Sequence, residues 1–246
     1  MKKIPGKIML EGRNMVKDAL NSEQIIEVVM LSSASLADPR IKEIESIAKK
    51  RGVRIQMVKP DDLLKLAGSK NPQGVVAIMN TPETPSLELI LKNKRDAFIL
   101  LLNKIDYEQN LGAILRSAWA TGVDAVVASP SGVHEVTSVV AKVSMGAVAY
   151  VPLIGMSLFQ AIKLIHQYAV PLVGIEVGMG ESIYKTNLRG PIAFLVGGEE
   201  VGVTEPLLKE CDVLANIPMN KELASLNVSV ATALVLFEKV RQEKVV

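Results

Sequence analysis

The sequence predicts an α/β protein, with a small alternating unit first and then a larger, mostly parallel sheet covered by helices on both faces. Three observations carry this. Apolar runs of strand length, such as Ile25–Leu31 (IIEVVML), Ala97–Leu102 (AFILLL) and Ile192–Val196 (IAFLV), alternate with stretches whose apolar residues recur at helical spacing. Strands that are apolar throughout belong to sheets buried on both faces. A polar segment with two prolines, Asn80 to Pro85 (NTPETP), splits the alternation in two and marks a domain boundary.

In the first part, Met15, Val16, Ala19 and Leu20 give Gly12 to Leu20 one apolar helical face. Ile25 to Leu31 is a strand. Ile41, Ile44, Ile47 and Ala48 make Asp38 to Arg51 an amphipathic helix, and Gly52 closes it. A strand over Val53–Val58, a short helix over Pro60–Ala67 with Asp61 and Asp62 near its positive end, and a strand over Gly74–Met79 complete the unit. We expect a domain over residues 1–80, a linker over 81–96 and a second domain over 97–246. The second domain reads as strands at 97–102, 125–128, 171–177, 192–196 and 213–217. Helices are expected at 111–121, 137–143, 157–168, near 205–209 and from Ser225 to about Glu243, with Ser225 as the cap of the last.

Composition bounds the function. Of 246 residues 49% are hydrophobic and 4% aromatic, and the formal net charge is +2, so the chain is globular and its charge neither requires nor forbids a nucleic acid. One cysteine, Cys211, rules out an internal disulfide framework, and with only His134 and His166 there is no metal-ligand spacing; no metal is expected. The basic start lacks a signal peptide's apolar core and no run is long enough to span a membrane, so a cytoplasmic protein is expected.

Ligands of open parallel sheets bind beyond the carboxyl ends of the strands, which makes three turns the candidate site. After Ala97–Leu102 come Asn110, Gly112 and, one helical turn further, Arg116, which interrupts a face of Leu111, Ile114, Leu115, Ala118 and Trp119. After Ile192–Val196 comes Gly197-Gly-Glu199-Glu-Val-Gly202. After Val213–Ile217 come Met219 and the polar run Ser225-Leu226-Asn227-Val-Ser229. Neither histidine nor Cys211 falls in these turns, so a covalent nucleophile with its base is disfavoured. An apolar slot with backbone amides plus Arg, Glu, Ser and Asn suits a cofactor that carries its own reactive group.

Taken together, Asn110-x-Gly112-Ala-Ile-x-Arg116, Gly197-x-Glu199-x-x-Gly202 and Ile217-Pro-Met-(five residues)-Ser225-Leu-Asn227-Val-Ser229-Val-Ala231 resemble the three motifs of the SpoU/TrmH (SPOUT) family of RNA ribose 2'-O-methyltransferases. Gly12-x-Asn14-x-Val16-x-x-Ala19-Leu20 and Gln73-Gly74-Val75-Val76-Ala77 resemble the family's ribosomal-protein-like RNA substrate-binding domain. The likeness is to the branch acting on 23S ribosomal RNA; transfer RNA as substrate, or RNA binding without turnover, are the alternatives. It implies a deep trefoil knot in the C-terminal domain, a homodimer and S-adenosylmethionine as cofactor. It further implies that Gly197, Ile217, Met219 and Leu226 contact that cofactor. Arg116 would be the catalytic arginine, with Asn110, Glu199, Ser225 and Asn227 shaping the site. The chain departs from the family pattern at Pro72, Tyr107-Glu108, Glu200, Lys221 and Ala224. Basic residues available to guide RNA are Lys2, Lys3, Lys7, Arg13, Lys70 and Arg116, and aromatic platforms for stacking bases are scarce.

Overall fold

The computed structural model describes residues 7–22, 24–67, 71–80, 84–220 and 224–244. They form two compact units, one of residues up to 80 with 136–149, the other of 84–135 with 150–244.

The first unit runs β1 (Lys7–Glu11), α1 (Arg13–Leu20), β2 (Ile26–Ser32), α2 (Pro39–Lys50), β3 (Arg54–Val58), α3 (Pro60–Leu66) and β4 (Val75–Asn80). Its sheet has the order β1-β4-β2-β3, with β4 antiparallel to both β1 and β2, and β2 parallel to β3. Helix α1 buries the four residues its periodicity named, Met15, Val16, Ala19 and Leu20. Helix α2 starts where the Asp38 carboxylate accepts the Arg40 amide at 2.9 Å and stops before Gly52 at φ +69°. β1 was not expected: it alternates buried Ile8 and Leu10 with the half-buried Lys7, Met9 and Glu11 over only five residues, too short a run to rise above a basic leader.

The second unit opens with α4 (Leu87–Asn93), β5 (Phe98–Asn103), α5 (Glu108–Thr121) and β6 (Ala125–Ala128). Residues 136–149, including α6 (Ser138–Val143), belong to the first unit, where α6 packs on β1. Nothing in the periodicity marks this excursion. The second unit resumes with β7 (Leu153–Gly155), α7 (Leu158–Gln167), β8 (Leu172–Ile175), β9 (Glu181–Ser182), β10 (Ile192–Gly197), α8 (Glu205–Leu208), β11 (Val213–Asn216) and α9 (Val228–Lys244). Its seven strands are all parallel in the order β7-β6-β5-β10-β8-β11-β9.

All six residues of β5 are buried, as a central strand covered on both faces requires. Ile99 and Leu101 of β5 and Ala193 and Leu195 of β10 pack with Leu87 and Leu91 of α4 and Ile162 and Ile165 of α7. Each such leucine or isoleucine side chain contributes roughly 1.5–3 kcal/mol by leaving water. α5 and α9 pack against each other, and α9 against β10. Phe98 and Phe194 meet edge to face at 6.0 Å, with the Lys239 ammonium 5.6 Å from the Phe98 ring. α4 falls within the span expected as a linker, but its Leu87, Ile90 and Leu91 are core residues of this unit.

Candidate active site

The site forms where the carboxyl ends of β5, β10, β8 and β11 stand side by side. β5 and β10 are neighbours, whereas β8 lies between β10 and β11, so a fourth strand end joins the three that the motifs marked. The Gly197–Gly202 loop is the hinge of the arrangement. Gly198 N–H donates to the Asn103 carbonyl at 2.9 Å, and Gly202 N–H returns to the Gly198 carbonyl at 2.9 Å, folding the loop on itself. A Cβ at Gly197 would lie 1.9 Å from the Gly202 carbonyl carbon, and Gly202 has φ +63°. Both positions therefore demand glycine, one for close approach and one for a left-handed backbone.

Two side chains that the motif reading missed clamp this loop. Asn103, buried at the end of β5, donates from Nδ2 to the Gly202 carbonyl at 3.0 Å. Glu176, just past β8, accepts the Val203 amide at 3.0 Å with one oxygen and its neighbour Val177's amide at 3.0 Å with the other. No local pattern signals a carboxylate whose partner comes from another strand's loop. The only cue was that Glu176 follows a buried strand end, the place where ligands bind.

These ends enclose a cavity of about 290 Å³. The four residues assigned to the cofactor, Gly197, Ile217, Met219 and Leu226, all line it, joined by Glu199, Ser225 and Glu176. At its rim three side chains close a triangle. The Asn110 amide donates to Glu199 Oε1 at 3.0 Å, Asn227 Nδ2 donates to Asn110 Oδ1 at 3.1 Å, and Asn227 Nδ2 also donates to Glu199 Oε1. Asn227 is meanwhile the cap of the last helix: its Oδ1 accepts the Ser229 amide at 3.0 Å and the Ser229 hydroxyl at 2.6 Å. This corrects the expectation for Ser225. The helix begins at Val228, not Ser225, because the Asn227 side chain reaches the second helical amide while Ser225 is left on the cavity wall.

Arg116 stands apart. It is exposed and makes no hydrogen bond or ion pair among the described residues. Six residues separate it from Asn110, which at 100° and about 1.5 Å per residue turns it roughly 240° around α5 and about 9 Å along it. Within one chain, then, the triangle and the arginine do not share a face. Of the other basic candidates, Lys7 pairs with Glu27, and Arg13 pairs with Asp38 at 2.8 Å and donates from Nε to the Gln73 carbonyl at 3.0 Å. Lys2, Lys3, Lys70 and Lys221 lie outside the described residues.

Cys211 is remote from the rim. It sits beneath Gly174 with its thiol on the Leu207 carbonyl at 3.4 Å. Burial, reinforced by the neighbouring Asp212 and Glu210 carboxylates, pushes that thiol up to about 12, so it is no nucleophile near neutral pH. No cluster of three or more metal-ligating side chains occurs among the described residues.

A parallel sheet with a cavity beyond its strand ends, walled in part by glycine backbone and in part by apolar side chains, defines an α/β protein built to hold a cofactor. The comparisons narrow the class: the chain belongs to the SpoU rRNA Methylase family, whose model matches residues 97–237. A second model, for the RNA 2'-O ribose methyltransferase substrate-binding domain, matches residues 9–85. Among its relatives is the Xylella fastidiosa (strain 9a5c) 23S rRNA (guanosine-2'-O-)-methyltransferase RlmB, 34% identical with 96% of each chain covered. The protein of that name from Haemophilus influenzae (strain Rd) is 35% identical over 89% of this chain and 91% of its own. A crystal structure of an RNA 2'-O ribose methyltransferase superposes with a TM-score of 0.79 at 28% identity, covering 96% of this chain and 89% of that one.

Proposed function

We propose that this chain transfers a methyl group from S-adenosylmethionine to a ribose 2'-hydroxyl of 23S ribosomal RNA. The observation that carries the reading is convergence: Gly197, Ile217, Met219 and Leu226, distant in sequence, wall one cavity whose rim is the Asn110–Glu199–Asn227 triangle. Relatives at 34% and 35% identity over nearly their whole length bear the name of that activity. The cavity suits the cofactor: backbone takes the place of side chains at Gly197 and Gly202, and the walls are apolar at Ile217, Met219 and Leu226.

When bound, the cofactor supplies a methyl group already activated on a sulfonium. The protein has to hold the ribose oxygen in line with it and ease the loss of that oxygen's proton. Glu199, fixed by two amides and lining the cavity, is the group able to orient the incoming hydroxyl. A guanidinium keeps its proton in proteins, so Arg116 acts by gripping the adjacent phosphate and stabilising the developing alkoxide, while a phosphate oxygen or water accepts the proton.

The reading includes a homodimer, a deep trefoil knot formed by the C-terminal part, and the first unit as the RNA-binding domain. For the dimer, a groove of about 560 Å³ runs between α5 and α9, lined by Ala113, Ser117, Val230, Leu234 and Phe237, with the last three exposed. A second copy seated there also resolves the position of Arg116, by offering it to the partner's cavity instead of its own. No described helix is long and apolar enough to cross a membrane, and action on ribosomal RNA goes with a cytoplasmic location.

The test is incubation with tritiated S-adenosylmethionine and unmodified 23S RNA, followed by mapping of the labelled nucleotide. Label on one ribose 2'-oxygen is expected. Label on transfer RNA alone would move the substrate, and cofactor binding without label on any RNA would leave an RNA-binding protein. Mixing Arg116→Ala with Asn227→Ala chains should restore activity if the arginine serves the partner's site. Light scattering giving a monomer at micromolar concentration would remove the dimer.

A further inference from the structure

The scarcity of aromatic residues argues against base stacking, yet the fold brings two of them together. Trp119, the one tryptophan of the chain, and Tyr150 lie face to face with ring centroids 4.3 Å apart and planes within 6° of parallel. Both belong to the second unit, and they remain 42% and 39% exposed. An apolar helical face that packed as its periodicity predicts would have buried Trp119 with Ile114 and Leu115, which are fully covered. Instead the indole is turned out to the flank of α5, one turn beyond the free Arg116 and on the same side of the helix.

We infer that the Trp119–Tyr150 pair is a stacking platform for an unpaired base of the RNA substrate, with Arg116 beside it for the phosphate of that nucleotide. Neither the indole N–H nor the phenol O–H has a partner among the described residues, nor has the guanidinium. Three unpaired donors around a flat π-face match a ligand that is flat, rich in acceptors and anionic. A nucleotide is all three. Trp and Tyr left with a free polar tip are typical of interfaces, where one end meets an apolar surface and the other stays wet. The mutual stack holds the indole in place before the ligand arrives, so a third ring adds its contact with little further ordering. The groove proposed for the second copy opens at Ala113 and Ser117, roughly 120° and 160° around α5 from Trp119, and the exposed neighbour of Trp119 on its own side of the helix is the cationic Arg116, not an apolar surface.

The inference rests on the RNA-methyltransferase reading, and the experiment separates the two. Fluorescence of Trp119, the chain's one indole, is followed while an unstructured oligoribonucleotide, or its abasic counterpart with the same phosphates, is titrated in. Quenching by the first and not by the second is expected. In steady-state methylation of 23S RNA, Trp119→Ala and Tyr150→Ala should each raise the RNA KM by roughly 5- to 150-fold, the range for loss of one base–aromatic stack. Trp119→Phe, which keeps a ring, should recover most of that affinity, and the cofactor Kd should be unmoved in all three. Equal quenching by the abasic strand, or an RNA KM unchanged in Trp119→Ala, overturns the platform. Emission that shifts on diluting the protein without RNA would also overturn it, because the pair would then lie between two copies. Wild-type protein that quenches and binds RNA but methylates none would sink the enzymatic reading and leave the platform standing.

Discussion

The cavity and its rim lie a few residues apart in sequence and are made in opposite ways. On its Gly197–Gly202 side the cavity wall is backbone: these two glycines bring main chain into contact, and the two residues that clamp them, Asn103 and Glu176, bond to backbone groups. The rim is side chain on side chain, with Asn110, Glu199 and Asn227 bonded to one another. A wall made of backbone has no room for substitution and governs whether the cofactor enters. A rim of exposed polar groups tolerates substitution in folding terms and governs what happens next. The comparison predicts that the two regions fail differently.

The largest effect is expected at the wall. In Gly197→Ala the new methyl would lie 1.9 Å from the Gly202 carbonyl carbon, with no flexible side chain to yield. Overpacking of this kind costs about 3 kcal/mol or more. Cofactor affinity in calorimetry should fall below detection, with the melting temperature lowered as well. An alanine variant that binds the cofactor normally would mean that the loop shape is not what admits it. Glu176→Gln tests the clamp more gently. It keeps the shape but leaves one accepting oxygen, now neutral, where the carboxylate offered two, so only one of the Val203 and Val177 amides keeps its partner, and a weakening of cofactor binding by about tenfold or more is expected from the 1.5–3 kcal/mol of a charge-assisted bond. A loss confined to turnover, with affinity intact, would give Glu176 a role at the rim instead.

At the rim, Asn227 separates structure from chemistry because its two ends do different things. Asn227→Asp keeps an oxygen to cap Ser229 but removes the donors to Glu199 and Asn110 and sets a second carboxylate against Glu199. The single-turnover methylation rate should drop by tenfold or more while thermal stability changes little. Asn227→Ala removes the cap as well, at about 1 kcal/mol. If the aspartate variant lost as much stability as the alanine one and kept its rate, the triangle would be a structural brace only.

How much of this was legible follows from how local each cause is. The long buried strands, the amphipathic helices and the glycine loop were legible because apolar period and glycine spacing are written along the chain. All four cofactor residues named from the motifs line one cavity. β7 and β9, at three and two residues, are too short to carry a period. Ser225 looked like a cap because it opens a polar run, and Asn227 took the part since its longer side chain meets the Ser229 amide. Asn103 and Glu176 could not be assigned, because their partners come from a loop that is near only after the sheet forms. Trp119 has helical spacing consistent with the core, yet it lies on the exposed flank of α5, stacked on Tyr150, a residue of a distant segment that no local pattern pairs with it.

The smallest predicted effect lies away from both regions, on α9, and depends on pH. Glu238 is buried, and Arg241 donates to it from two nitrogens at 2.8 Å each, while the Gln242 amide donates at 2.8 Å. The bond from Arg241 holds its carboxyl below the ordinary 4.5, against the opposing effect of burial. A carboxyl lowered on folding contributes stability that is fully present above the unfolded value, near 4.5, and is lost as pH falls through the folded value. Glu243, held low by Lys239 and the Gly190 amide, acts in the same direction and forms the background. Glu238→Gln retains the shape and removes the charge. At pH 7 it should be less stable, by a small margin because Arg241 is half exposed and solvent screens the pair. The difference should close as pH falls below 4.5, since protonated wild type then presents the same neutral group. Denaturant melts of both chains at pH 7, 5 and 3 would measure it, and a gap that widened toward acid would mean that Glu238 is held above its ordinary value, not below.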